Sequence, residues 1–80
     1  MFDEFELPVN YRNEELLFPA QLQQAGYTHR FRVDVYGLDV FFEPDEEGAY
    51  RAIINPESLD KQVSAELLQA IAEAIEAVVR

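Results

Sequence analysis

The sequence contains no cysteine and a single histidine among its 80 residues. A disulfide is therefore impossible, and a structural zinc site of the usual Cys/His kind cannot be built. A chain of this length hides only about 60 to 65% of the surface that it exposes when unfolded, so its margin of stability is thin. The hydrophobic core must be stable by itself or be stabilised by a partner chain.

Long apolar runs and basic residues are also scarce. No segment has the roughly 18 apolar residues of a membrane span, and the first six residues lack the cationic and apolar regions of a signal peptide. We therefore expect a cytoplasmic protein with no membrane partner. The chain has six basic and sixteen acidic residues, and its formal net charge of −10 repels phosphate backbones. Nucleic acid is not an expected partner, whereas a basic protein remains one.

What is present is a pattern of alternating apolar and polar residues that is typical of β-strands. The hydrophobic fraction of 49% is ample for a globular core. The pattern predicts a single α+β domain over residues 1–80, a five-stranded antiparallel β-meander with one C-terminal α-helix packed on one face. The expected strands cover residues 5–12, 15–22, 27–36, 39–45 and 49–55, and the expected helix covers residues 60–79.

The helix is predicted by a change of period near Asp60. Ser58 or Asp60 can cap its first turn, and Ser64 is an alternative, later start. Its apolar stripe is expected to contain Val63, Leu67, Ile71, Ala74, Ile75 and Val78.

The positions of the turns predict the register of the sheet. Turns are expected at Asn13-Glu14, at residues 23–26 and at Gly37-Leu38, followed by a hairpin loop in which Gly48 supplies a left-handed residue. With these turns every inward apolar set falls on the face that the helix covers. The expected pairs are Leu22 with Tyr27, Val33 with Phe42, Phe42 with Ala52 and Pro44 with Tyr50.

This register has consequences for single residues. Pro8 is opposed to Pro19, and since neither can donate a ladder hydrogen bond, we expect an interrupted or bulged first hairpin with its strand at an edge. His29 falls inward beside Ala20, where a lone histidine is more often a hydrogen-bonded core or rim residue than a base. No set of nucleophile, base and orienting group can be assembled, so we expect neither catalysis nor a cofactor.

Three arginines lie on the sheet face away from the helix. The expected register places Glu43 between Arg32 and Arg51, with Arg30 two residues from Arg32. A carboxylate between two guanidiniums forms a cross-strand ion network that helps to specify pairing. The alternative is an anion site, because arginine forks match carboxylate and phosphate groups.

The same face carries exposed apolar residues. Phe41 neighbours Ile53, and Tyr36 and Leu17 extend the patch. A solvated sheet face usually alternates to polar residues, so an aromatic beside a β-branched residue predicts that something covers it. We expect a protein-protein contact here, most simply a symmetric homodimer. The alternative is that these are isolated exposed apolar residues with no partner, which are common on protein surfaces.

The acidic run at residues 43–48 invites a calcium interpretation. An EF-hand needs oxygen ligands at alternate positions and a glutamate at the twelfth, which this run does not supply. We expect a hydrated hairpin loop and no specific metal.

The run F-E-P-D-E-E-G-A-Y-R-A, from Phe42 to Ala52, together with the alanine-rich helix, resembles a family of short uncharacterised bacterial proteins. The resemblance covers most of the chain. It implies the same meander-plus-helix fold and an intracellular bacterial setting, but no activity, ligand or functional residue. The sequence thus favours a non-enzymatic protein-interaction module that uses the open sheet face or an edge strand, with a small-anion-binding domain and an acidic partner of a basic protein as alternatives.

Overall fold

Five antiparallel strands form one sheet and a single helix packs against it, which confirms the predicted α+β fold. A computed structural model describes residues 3–26, 28–59 and 63–79 of the chain. The strands follow one another in the order β1-β2-β3-β4-β5, so β1 is an edge strand as expected. The elements are β1 (Asp3–Tyr11), β2 (Glu14–Ala25), β3 (Thr28–Val35), β4 (Leu38–Pro44), β5 (Tyr50–Ile53), a short 3-10 helix (Pro56–Ser58) and α1 (Ala65–Val79).

The core lies between the sheet and α1. Alternate residues of each strand point into it, and α1 contributes a stripe at helical spacing. The stripe differs from the prediction at its end, because Val78 is 50% exposed while Leu68 and Ala72 are buried. The buried residues described are Leu7, Val9, Phe18, Ala20, Phe31, Val33, Val35, Val40, Phe42, Tyr50, Val63, Leu67, Leu68, Ile71, Ala72 and Ile75.

Both edge strands, β1 and β5, contact α1. At the start of the helix, Glu66 Oε2 accepts hydrogen bonds from Tyr11 Oη at 3.0 Å and from Arg12 Nη2 at 2.6 Å. Near its end, Glu76 Oε2 accepts a hydrogen bond of 3.0 Å from the backbone N–H of Tyr50. Helix α1 therefore lies across the sheet from one edge to the other.

The cap of α1 is Ser64, the later of the starts considered. Its Oγ accepts a hydrogen bond of 3.1 Å from the backbone N–H of Leu67, three residues on, as an N-cap does. Ser58 lies in the 3-10 helix, and Asp60 lies outside the described residues. In the described part of the chain, no helix is long and apolar enough to cross a membrane.

The first hairpin is uninterrupted, and the predicted clash of prolines is wrong. Its turn is Arg12-Asn13 rather than Asn13-Glu14, and both residues have positive φ, at 51° and 64°. A two-residue type I′ turn requires that conformation at both positions. Moving the turn shifts the pairing by two residues, so Pro8 opposes Leu17 and Pro19 opposes Glu6.

The third hairpin shows the same kind of correction. Its turn is Tyr36-Gly37, with φ of 54° and 89°, rather than Gly37-Leu38. Val33 therefore opposes Val40, where the sequence predicted Phe42.

The second hairpin differs most from the prediction. Strand β2 continues to Ala25, which opposes Thr28, so the turn begins at Gly26. Ala20 consequently faces Val33 instead of His29, and His29 faces Gln24. The predicted pairing of Leu22 with Tyr27 is wrong, because Leu22 opposes Phe31. Tyr27 itself lies outside the described residues.

The last hairpin has the predicted register. Phe42 opposes Ala52 and Pro44 opposes Tyr50. Gly48 has a φ of 87°, the left-handed conformation expected of it. The Oδ1 atom of Asp45 accepts backbone N–H groups across this loop and holds it closed.

Candidate protein-interaction face

The sheet face opposite α1, called the open face below, carries a central row of side chains that crosses the strands. Register places this row at Glu4, Gln21, Arg32, Phe41 and Ile53, from β1 to β5. Ile53 is 45% exposed. Phe41 is half-buried because the guanidinium carbon of Arg30 lies 4.2 Å from the centre of its ring. The predicted neighbours Phe41 and Ile53 therefore do lie side by side.

A basic row lies on one side of the central row and consists of Gln23, Arg30, Glu43 and Arg51. Arg51 opposes Glu43 as predicted. Arg32 does not flank Glu43, because the corrected turn places it opposite Phe41. The same register brings Arg30 next to Glu43 instead, so the carboxylate has an arginine on each neighbouring strand. Arg30 Nε also donates a hydrogen bond of 3.1 Å to Gln23 Oε1.

An acidic row lies on the other side of the central row and consists of Glu6, Pro19, Asp34 and Asp39. Asp34 directly opposes Asp39, a placement that is unfavourable for like charges. Two contacts offset it, since Arg32 Nη1 lies 3.6 Å from Asp39 Oδ2 and Asp34 Oδ1 accepts the N–H of Gly37 at 2.8 Å. Together with Glu4 and Arg32, the row lines an open concavity of about 440 Å³. Arg32 therefore lies among carboxylates, and apart from the other two arginines.

The other two predicted interaction residues do not join Phe41 and Ile53. Leu17 is 55% exposed and opposes Pro8, four residues along β2 from the central row. Tyr36 is also 55% exposed but lies in the β3–β4 turn. Its ring meets that of Phe18, a core residue, edge to face with centroids 5.4 Å apart. The predicted patch is thus one pair and two separate residues.

His29 is the inward, hydrogen-bonded residue that the sequence led us to expect, but its partner, Tyr50, was not predicted. His29 Nε2 and Tyr50 Oη are 2.6 Å apart, and their rings pack together against Phe31. Burial raises the pKa of the Tyr50 hydroxyl, and the nearby Glu76 carboxylate adds to the effect. The signal that could have found this pair is Gly37, because a β3–β4 turn with Gly37 as its second residue opposes Phe31 to Phe42 and so brings His29 beside Pro44, which itself opposes Tyr50.

No group of three histidine, aspartate or glutamate residues in the described ranges could hold a metal ion. In the acidic loop, Asp45 Oδ1 already accepts the N–H groups of Glu47 and Ala49, at 2.8 and 3.0 Å. Those contacts give the carboxylate a structural role in the hairpin.

The fold thus defines a small α+β protein whose helix covers one sheet face and leaves the other open. Comparisons with protein-family models, with curated proteins and with solved structures give no match to this chain. The resemblance carried by the run from Phe42 to Ala52 stays a prediction.

Proposed function

We propose that this protein is a non-enzymatic interaction module that binds another protein chain through its open face. The observation that carries the proposal is the pair Phe41 and Ile53, which are opposed on β4 and β5 on the face away from α1. An aromatic and a β-branched residue side by side on a sheet face lose water contact when a partner covers them. The bacterial, cytoplasmic setting expected from the sequence belongs to the same proposal.

The position of α1 supports binding through the face over binding through the β5 edge. Exposed edge strands bind partners by offering unpaired backbone groups to an added strand. Here the N–H of Tyr50 at the start of β5 is already bonded to Glu76 of α1, which removes one donor from that edge. This contact favours the open face over the β5 edge as the surface that a partner binds.

The layout of the arginines favours a protein partner over a small anion. A tight anion site needs guanidiniums that converge on one point. Arg30 instead lies on the ring of Phe41, while Arg32 is paired with Asp39 among other carboxylates. An anion site could use only Arg30 and Arg51, with Glu43 between them.

Site-specific photocrosslinking tests the proposal. A photoreactive phenylalanine analogue replaces Ile53 in one variant and Val79 in a matched control. The two side chains are 45% and 46% exposed, but Val79 is on α1. We expect a discrete crosslinked protein product from position 53, in the cell or with the purified chain, and none from position 79.

Two results would contradict the proposal. Equal crosslinking from both positions would mean that binding is not specific to the open face. No product from position 53 under any condition, in a variant that remains folded by circular dichroism, would mean that the face has no protein partner.

A further inference from the structure

We infer that a groove between strand β1 and helix α1 binds a short, extended and basic segment of another protein. The groove lies at the β1 edge of the sheet, four strands away from Ile53 on β5, and is therefore a second surface. Its volume is about 440 Å³. Its lining includes Pro8, Asn10, Glu15, Glu73, Ala77 and Val78.

The backbone of β1 indicates that the occupant is extended. Tyr11 and Glu14 flank a two-residue turn, and such a turn is closed by a hydrogen bond between the flanking residues. Bonded and non-bonded pairs alternate along an antiparallel ladder, so Pro8 and Asn10 turn their backbone groups away from β2. The N–H of Asn10 makes no hydrogen bond within the described part of the chain. An added strand would supply the partner that this edge offers to bind.

Pro8 limits the length of that strand. At Pro8 the edge offers a carbonyl but no N–H, so a continuous ladder along β1 is interrupted there. Asn10 can still exchange two hydrogen bonds with one residue of an added segment, and the Pro8 carbonyl can accept a third. The occupant is therefore a segment of a few residues and not the edge of another sheet.

The charge of the groove favours a basic occupant. Glu15 lines it from the sheet and Glu73 from the helix, and both are exposed. Strand β1 and helix α1 form most of its walls and contain no lysine or arginine in their described ranges. A lysine or arginine of the segment can lay its aliphatic stem on Ala77 and Val78 and place its charge near Glu15 or Glu73. The net charge of −10 also attracts a cationic segment from a distance.

Nuclear magnetic resonance with two synthetic peptides tests the inference. The first peptide is acetyl-Val-Lys-Val-Lys-Val-amide, whose alternation suits an extended strand, and the second has glutamate in place of both lysines. We expect the lysine peptide to bind with a dissociation constant below about 1 mM and to shift the amide resonances of Asn10 and of residues 73–78. The glutamate peptide should shift none of them.

A pair of double variants separates the groove from general attraction to an acidic protein. Glu15→Gln with Glu73→Gln should weaken binding of the lysine peptide about threefold to tenfold, because two ion pairs are lost. Glu46→Gln with Glu47→Gln removes the same charge from the exposed β4–β5 loop and should change the dissociation constant by less than about twofold. Should the first variant fail to fold by circular dichroism, Glu15→Gln alone repeats the test at an exposed position.

Equal shifts with both peptides, or equal weakening by both double variants, would overturn the inference. So would the absence of any shift at millimolar lysine peptide. Shifts of Asn10 that depend on the concentration of the wild type alone would assign the groove to a second copy instead. Val79, the control position for crosslinking, does not line the groove, so these outcomes are independent of the proposal for the open face.

Discussion

At the scale of single residues, Glu66 shows how one carboxylate joins the helix to the sheet. Hydrogen bonds from Arg12 and from Tyr11, and the positive charge of Arg12, lower the pKa of Glu66. The same contact raises the pKa of Arg12. Tyr11 is the last residue of β1 and Arg12 the first of the β1–β2 turn, whereas Glu66 lies in the first turn of α1, where a negative charge also suits the helix dipole.

Replacing Glu66 by Gln should make stability less dependent on pH. Because the pKa of Glu66 is lower in the folded chain, its carboxylate stabilises the fold above the unfolded pKa, and this contribution is lost as the pH falls through the folded pKa. Glu66→Gln should therefore lower the free energy of unfolding at neutral pH and leave it unchanged in strong acid. Urea denaturation of both chains at the two pH values measures this.

The matched control is Glu73→Gln, on the same helix, whose carboxylate accepts a hydrogen bond from Gln69 within α1. It should leave the contact with the β1–β2 turn intact. A Glu66→Gln chain as stable as the wild type at neutral pH would show that the contact contributes nothing.

At the scale of elements, the turns decided what the sequence could and could not predict. Each misplaced turn shifted the pairing by an even number of residues, because the buried face fixes which side chains point inward and an odd shift would reverse them. The faces of the strands were therefore predictable, while their register depended on turn chemistry. The sequence placed Asn13 and Gly37 first in their turns, but each is second, after another residue with positive φ.

The same argument explains how much of the candidate site was predictable. Phe41 beside Ile53 and Glu43 beside Arg51 follow from the β4–β5 hairpin, where Gly48 marks the loop without ambiguity. Arg32 was assigned to the correct face but to the wrong row, because its neighbours depend on the β3–β4 turn. Burial carries no information on register along an exposed face, so the acidic row could not be predicted.

Gly37→Ala should destabilise the protein by about 1–2 kcal/mol, the usual cost of a left-handed conformation for a residue with a Cβ atom. Gly37 has a φ of 89°, and an added Cβ would meet no atom within 4 Å, so the cost is one of backbone conformation and not of packing. Thermal or urea denaturation measures the change. Gly37→Asn is the matched control and should lose less stability than Gly37→Ala, because asparagine tolerates the left-handed backbone region. Equal stability of the alanine variant and the wild type would contradict a turn at this position.

At the scale of the whole molecule, stability and association are coupled if the open face binds a second copy. An 80-residue chain without disulfides has a small core and therefore a small free energy of unfolding. Burying Ile53 and Phe41 in a dimer adds apolar contacts that the monomer lacks, and any ligand that binds only the folded state stabilises it by mass action.

The melting temperature of the wild type should therefore rise with protein concentration, whereas that of Ile53→Asp should not. Val79→Asp controls for the added charge at a position of equal exposure and should keep the dependence. Differential scanning calorimetry over a hundredfold range of protein concentration measures this dependence. Over such a range, mass action adds up to about 2.7 kcal/mol to the free energy of unfolding. Superimposable melting curves for the wild type would argue against self-association.

The position of α1 after all five strands in the chain has a consequence for synthesis. The helix follows the strands in the chain, so a ribosome makes all five strands before it makes the element that covers their apolar side. During that interval Leu7, Val9 and Phe42 have no helix to bury them, and β1 and β5 lack their contacts with α1. Aggregation of nascent chains is thus the hazard most specific to this fold, and a holdase chaperone would act in the interval before α1 docks.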